Sequence, residues 1–197
     1  MRLKFIIGIL ALLLLTVSTA SAETFYLTDV NEEQFAGKIR IQVSCSGDTI
    51  TVQDVSTDLN TISNVDLKEI GIVLPAGYSV TSVVDEGAEN DWSATTGSYE
   101  ESEFGHFNTQ INRDPGSNSK TRGPIKIYLN KALAGSLPAN EYGNSVVVHI
   151  SFGEKGEALV GSTWVSGYTP IPEFPSIALP VVAILGIMFI FGRRKQE

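Results

Sequence analysis

Few side chains in this 197-residue sequence have the types and spacing that chemistry requires. His106 and His149 are the two histidines, and Cys45 is the single cysteine. A zinc site takes three or four nitrogen and sulfur ligands at helical or hairpin spacing, and these three residues supply no such motif. Both histidines read as strand-face residues satisfied by near neighbours. Cys45 can form no intramolecular disulfide and falls on an inward strand phase, where a thiol behaves as a small hydrophobe. No Gly-x-Ser-x-Gly elbow, phosphate-binding loop or dinucleotide fingerprint occurs. Paired acids for glycoside hydrolysis come from distant strands and need only face one cleft about 5–10 Å apart, so spacing leaves them open. Nothing singles out two of the many carboxylates, and the expectation is that the chain is not an enzyme.

Two further groups invite a binding reading. Asp85, Glu86, Glu89 and Asp91 are close enough together to offer oxygens to Ca²⁺, but they lack the Asp-x-Asp-x-Asp-Gly register of a calcium loop. A solvated acidic loop is the plainer reading, and no metal or other cofactor is expected. Trp92 adjoins that loop, with Tyr99, Phe104 and Phe107 further on. Trp92 and Phe107 are the candidate platform for an extracellular glycan or matrix polymer, against the competing reading of aromatics packed in a core.

The elements that would position these residues are strands. Ile39, Ile41, Val43 and Cys45 alternate with polar neighbours, Ser46-Gly47-Asp48 turns the chain, and Ile50 and Val52 return inward. The phase breaks at Val55, which predicts a bulge near Asp54. Ile70, Ile72 and Leu74 form the next strand, stopped by Pro75-Ala76-Gly77, with 78–84 as its expected hairpin partner. A weak strand starts at Trp92, and 104–111 alternates poorly. A long polar loop covers 112–122, and Ile125, Ile127 and Leu129 make another strand. One short helical turn fits in 130–139. Val146, Val148, Ile150 and Phe152 give the clearest alternation, and 161–165 closes the body. Short strands at this spacing without a useful amphipathic helix predict an all-β, two-sheet antiparallel sandwich.

Both ends of the chain are of another character. At residues 1–22, Arg2 and Lys4 precede an apolar run and a small-residue Ala20-Ser21-Ala22 site, the pattern of a signal peptide. Signal peptidase would leave Glu23 as the first residue. At the other end, a Pro-rich hinge at 169–176 leads into an apolar segment at 177–192, then a basic tail at 193–197 with Arg193, Arg194 and Lys195. The segment is short for a span, about 20 residues being usual, and reaches that length only if the basic residues snorkel. The basic triplet is what the positive-inside rule places in the cytoplasm. Pro180 sets or kinks the start of that transmembrane helix.

Setting both ends aside leaves a body at 23–168. Nine Lys and Arg remain there against 20 Asp and Glu once Arg2, Lys4, the three C-terminal basic residues, Glu173 and Glu197 are removed. A net charge of about −11 excludes nucleic acid and anionic membrane surfaces as partners, while favouring solubility. A body of this length holds one domain with a sizeable core. No Asn-x-Ser/Thr sequon occurs.

Pro172-Glu173-Phe174-Pro175, the apolar segment behind it and the terminal Arg193-Arg194-Lys195 resemble the PEF-CTERM sorting signal of archaeal, mainly methanogen, surface proteins. That signal is similar to the bacterial PEP-CTERM signal, with Phe174 where the bacterial type has a second proline. The resemblance covers residues 170–197 and implies a membrane-embedded cysteine transpeptidase, an archaeosortase, as partner. It implies that the enzyme cuts near the motif and transfers the protein to another anchor, such as a lipid. The body also resembles domains that precede PEP-CTERM tails, in Gly71-Ile72-Val73-Leu74-Pro75, Phe104-Gly105-His106-Phe107, Val148-His149-Ile150-Ser151-Phe152 and Thr163-Trp164-Val165-Ser166-Gly167. Those domains mostly carry no assigned activity. The expectation is an exported cell-surface protein of structural or interaction type, its ectodomain outside the membrane. The alternative is a glycan- or matrix-binding module held as a plain single-span membrane protein.

Overall fold

The computed structural model describes residues 23–116 and 119–167. The expected signal peptide, the PEF hinge, the apolar segment and the basic tail lie outside the described residues. Among the described residues, no helix is long and apolar enough to cross a membrane. The described chain runs through β1 (Glu23–Leu27), β2 (Asp29–Val30), β3 (Ile41–Ser46), β4 (Thr49–Asp54), β5 (Asp66–Ile72) and β6 (Val80–Asp85). It continues through β7 (Trp92–Glu100), β8 (His106–Arg113), β9 (Ile125–Leu129), β10 (Val146–Phe152) and β11 (Gly161–Gly167). Among the described residues, two single-turn 3-10 helices, Glu33–Phe35 and Ser102–Phe104, are the helical content.

The strands form two antiparallel sheets, in the orders β1-β3-β4-β9-β6 and β2-β11-β10-β5-β8-β7. Alternation decides which face of each strand is buried. Ile41 and Val43 from β3, Ile50 and Val52 from β4, and Ile125 and Ile127 from β9 have no exposed surface. Leu67, Ile70 and Ile72 from β5 and Val146, Val148 and Ile150 from β10 are equally buried, and all of these join one cluster. The two sheets therefore share a single core. Each such side chain removed from water contributes about 1.5–3 kcal/mol, which sets the register against a one-residue slip.

The expected hairpin β3–β4 forms, with Ser46 opposite Thr49 and Gly47 at φ +61° in the turn. No bulge interrupts it near Asp54, since the register is unbroken up to the Ile41–Asp54 pair. The inward phase continues through the buried Asp54 and Ser56, which are polar, and Val55 falls on the opposite phase. A larger difference concerns 78–84. β5 lies inside the second sheet between β10 and β8, whereas β6 is the edge of the first sheet and pairs β9. Turn residues at Pro75-Ala76-Gly77 mark where β5 stops, but the chain then crosses between sheets instead of folding back. No helical turn forms within 130–139.

One flank of the molecule is closed by the chain itself. β1 pairs β3 in the first sheet, the backbone N–H of Thr28 donates to Ser166 O at 3.2 Å, and β2 then pairs β11 in the second sheet. At the other flank β6 and β7 lie side by side, one at the edge of each sheet.

Candidate functional site

Three buried aspartates stand at strand ends and grip one loop. Asp54 closes β4, Asp66 opens β5 and Asp85 closes β6, and all three are buried. Asp54 Oδ2 accepts from Arg122 Nε at 2.7 Å, while Arg122 also donates to Asn60 Oδ1 and Ser56 O. Asp66 Oδ1 accepts from Arg113 Nη1 at 2.6 Å and from the backbone N–H of Thr121 at 3.2 Å, and Lys68 Nζ lies 2.6 Å from Oδ2. Burial pushes the Asp66 carboxyl up, but the hydrogen bonds from Arg113, Lys68 and the Thr121 backbone, with the Arg113 charge, outweigh it and hold the group below its ordinary value.

Asp85 is the third anchor and the first of the four acids proposed for Ca²⁺. Its oxygens accept from Gly87 N at 3.1 Å, Ala88 N at 3.0 Å, Asn90 Nδ2 at 2.9 Å, Thr121 Oγ1 at 2.8 Å and Trp92 Nε1 at 3.3 Å. A carboxylate offers about four lone-pair directions, so these donors leave no room for a cation. Glu86 turns away to Lys126 at 2.7 Å, and Glu89 and Asp91 are exposed. Among the described residues no three His, Cys, Asp or Glu side chains converge as a metal site. The calcium reading of Asp85, Glu86, Glu89 and Asp91 is corrected to a structural loop, closed by Asp85 on the backbone behind it.

The aromatic platform is corrected as well. Trp92 is 8% exposed and joins the main core, its indole edge turned to Asp85, and Phe107 is 1% exposed. Neither presents a ring face to a sugar. Phe107 packs instead with Phe104 and Val147 in a second, smaller cluster bordered by Val73 and Trp164. Val147 lies between the core residues Val146 and Val148, so this cluster covers the opposite, outer face of the second sheet. Gly71 permits it. A Cβ there would meet Val147 Cγ1 at 2.7 Å and Phe107 Cγ at 3.2 Å.

That outer face also holds a carboxyl pair which the sequence did not single out. Glu101 is 5% exposed, and Gln110 Nε2 donates to its Oε1 at 2.8 Å and also to Glu69 Oε1. Burial first, and then the neighbouring Glu69 charge, push Glu101 up to about 7; burial raises Glu69 too. Gln110 bridges the two carboxyls, and the Glu69 charge beside Glu101 favours the protonated form of Glu101. Within the same sheet His149 stacks on Trp164 with ring centroids 4.7 Å apart, and burial followed by the Lys68 charge lowers its pKa. His106 is exposed and bonded to Glu141 at 2.6 Å, which raises its pKa. Cys45 is buried, and its thiol is pushed up to about 12 by burial and by Glu23. Such a thiol is unreactive.

Residues 171–195 match the family model described as the PEF-CTERM archaeal protein sorting domain. The chain carries a PEF-CTERM sorting domain. The match takes in Pro172, Glu173, Phe174 and Pro175 at one end and Arg193, Arg194 and Lys195 at the other. No curated protein and no solved structure matches the chain. The PEF-CTERM domain points to a secreted surface protein, processed at its C-terminus by an enzyme of the archaeosortase type. It points equally to a location at the cell surface or associated with a membrane.

Proposed function

We propose that the described β domain is a non-enzymatic, sandwich-type ectodomain of structural or interaction role, delivered to the cell surface by its two termini. Signal peptidase acts after Ala22, and the apolar segment 177–192 holds the chain in the membrane with Arg193, Arg194 and Lys195 inside. An archaeosortase-type transpeptidase then cuts near Pro172-Glu173-Phe174-Pro175 and joins the ectodomain to another anchor. The match over residues 171–195 carries this reading. The buried aspartates and the carboxyl pair bridged by Gln110 support a domain whose polar groups serve its own fold. The glycan-module alternative loses its two named residues, since Trp92 and Phe107 are buried.

Replacing Glu173 and Phe174 by alanine in the native host tests it. The expected result is an exported chain that retains its C-terminal peptide, while the unaltered protein loses it. Identical processing of both would refute a motif-directed cut.

A further inference from the structure

The sorting motif follows the β domain so closely that whatever holds the motif must also meet the domain. β11 ends at Gly167, opposite Val146 of β10. Pro172 comes five residues later, a tether that spans at most about 18 Å fully extended. A compact body running from Glu23 to Gly167 has a radius of gyration of about 15 Å. An active site closed on Pro172-Glu173-Phe174-Pro175 is therefore held against the end of the domain where the chain leaves.

A fixed, aromatic-tipped loop borders that exit. The backbone N–H of Ser145 donates to Gly167 O at 3.1 Å, and Val73 N donates to Ser145 O at 3.0 Å. Asn140 and Asn144 both donate through Nδ2 to Phe104 O, at 2.8 and 3.1 Å. Asn140 Oδ1 accepts in turn from the backbone N–H groups of Tyr142 at 3.0 Å and Asn144 at 2.9 Å. Tyr142, at the tip, is 68% exposed, more than Tyr26, Val84 or Val160. Its ring nevertheless has a seat: it lies over Gly105, where a Cβ would collide with Tyr142 Cδ2. The charged groups beside it are the exposed Glu103 and the His106–Glu141 pair. An aromatic ring held in place while exposed offers contact area at little cost in conformational freedom, as interface anchors do. Val160 precedes β11 at its far end, and Tyr26 and Val84 lie along the edge strands β1 and β6, so Tyr142 is the one of the four beside the exit.

We propose that the loop 140–145, with Tyr142 as its anchor, docks on the transpeptidase while that enzyme holds the motif. This rests on the motif-directed cut proposed above. The short tether assists the contact, because once the motif is bound the loop meets the enzyme at high effective concentration. Pulse labelling in the native host, following loss of 177–197 from the full-length chain, tests it. Tyr142→Ala should slow that loss about tenfold, the scale of truncating one interface anchor, with an unchanged thermal melt of the domain. Val160→Ala, at the opposite end, should leave the rate as it is. A flexible spacer of about ten Gly and Ser residues after Gly167 dilutes the loop, and behind it Tyr142→Ala should change the rate less than about twofold. An unaltered chain that is processed no faster than Tyr142→Ala would overturn the docking alone. So would a tenfold effect that persists behind the spacer, or an equal effect of Val160→Ala. An unaltered chain that keeps 177–197 would remove the motif-directed cut and the docking with it.

Discussion

The indole N–H of Trp92 donates to Asp85 Oδ2 across 3.3 Å, where both residues are buried. This contact ties the last residue of β6 to the first of β7, so the chain's passage between the two sheets is fixed by one carboxylate. Asp85→Ala removes the acceptor of all five donors and should cost on the order of 3 kcal/mol. Trp92→Phe keeps most of the buried ring, loses one donor, and should cost about 1 kcal/mol. Urea denaturation of the two variants checks the order, and a larger loss for Trp92→Phe would contradict it.

Calcium at millimolar concentration should leave the melting temperature of the protein within about 1 °C of its value in chelator, since nothing would bind the folded state preferentially. The reason is that Asp85 is saturated by donors and Glu86 is paired with Lys126. A calcium-dependent rise in thermal scans would restore the loop as a metal site.

Acid pairs give the fold a pH dependence of definite sign. Glu101 holds its proton up to about 7 in the folded protein against an ordinary 4.5, because it is buried beside Glu69. A raised folded value means that the stability tied to this group is complete below about pH 4.5 and is lost as pH climbs to about 7. The loss should be on the order of 3 kcal/mol, about 10 °C in Tm. Asp66 works the other way, its lowered value favouring the fold above the ordinary carboxylate range and losing that contribution in acid. Glu101→Gln should flatten the decline between pH 5 and 7 in a thermal pH series, leaving the acid limb to Asp66. An unchanged slope would contradict the assignment.

How much of this was legible in the sequence depends on distance along the chain. The β3–β4 hairpin was, because Ile41, Val43, Cys45, Ile50 and Val52 alternate around a Gly47 turn. The pairing of β5 was not. Its partners β8 and β10 come from far along the chain, and period-two patterning says which face is buried but never which strand lies alongside. The candidate calcium acids failed for a related reason. Proximity in sequence gathers Asp85, Glu86, Glu89 and Asp91, while the fold sends Asp85 inward to Thr121 and Glu86 outward to Lys126. Aromatic residues such as Trp92 and Phe107 carry no mark of the face they occupy. Glu69, Glu101 and Gln110 were beyond reach because their meeting depends on the β5–β8 register and on the turn Ser102–Phe104.

The outer face of the second sheet is packed tightly enough to test at one atom. Gly71→Ala sets a Cβ at 2.7 Å from Val147 Cγ1 and 3.4 Å from Glu101 Cγ. Overpacking of this kind should cost about 1–3 kcal/mol. Gly71→Ala combined with Val147→Ala should recover part of that loss relative to Val147→Ala alone, read by a double-mutant cycle in urea. Strict additivity would mean that the two side chains do not compete for the same space.

In the proposed function it is the termini, more than the β domain, that define what this protein is for. Intact mass and C-terminal sequencing of the protein extracted from its native envelope address that most directly. The expected chain begins at Glu23, lacks 177–197, and carries added mass near Pro172-Glu173-Phe174. A chain that still ends at Glu197 would contradict it and leave an ordinary membrane-anchored β domain.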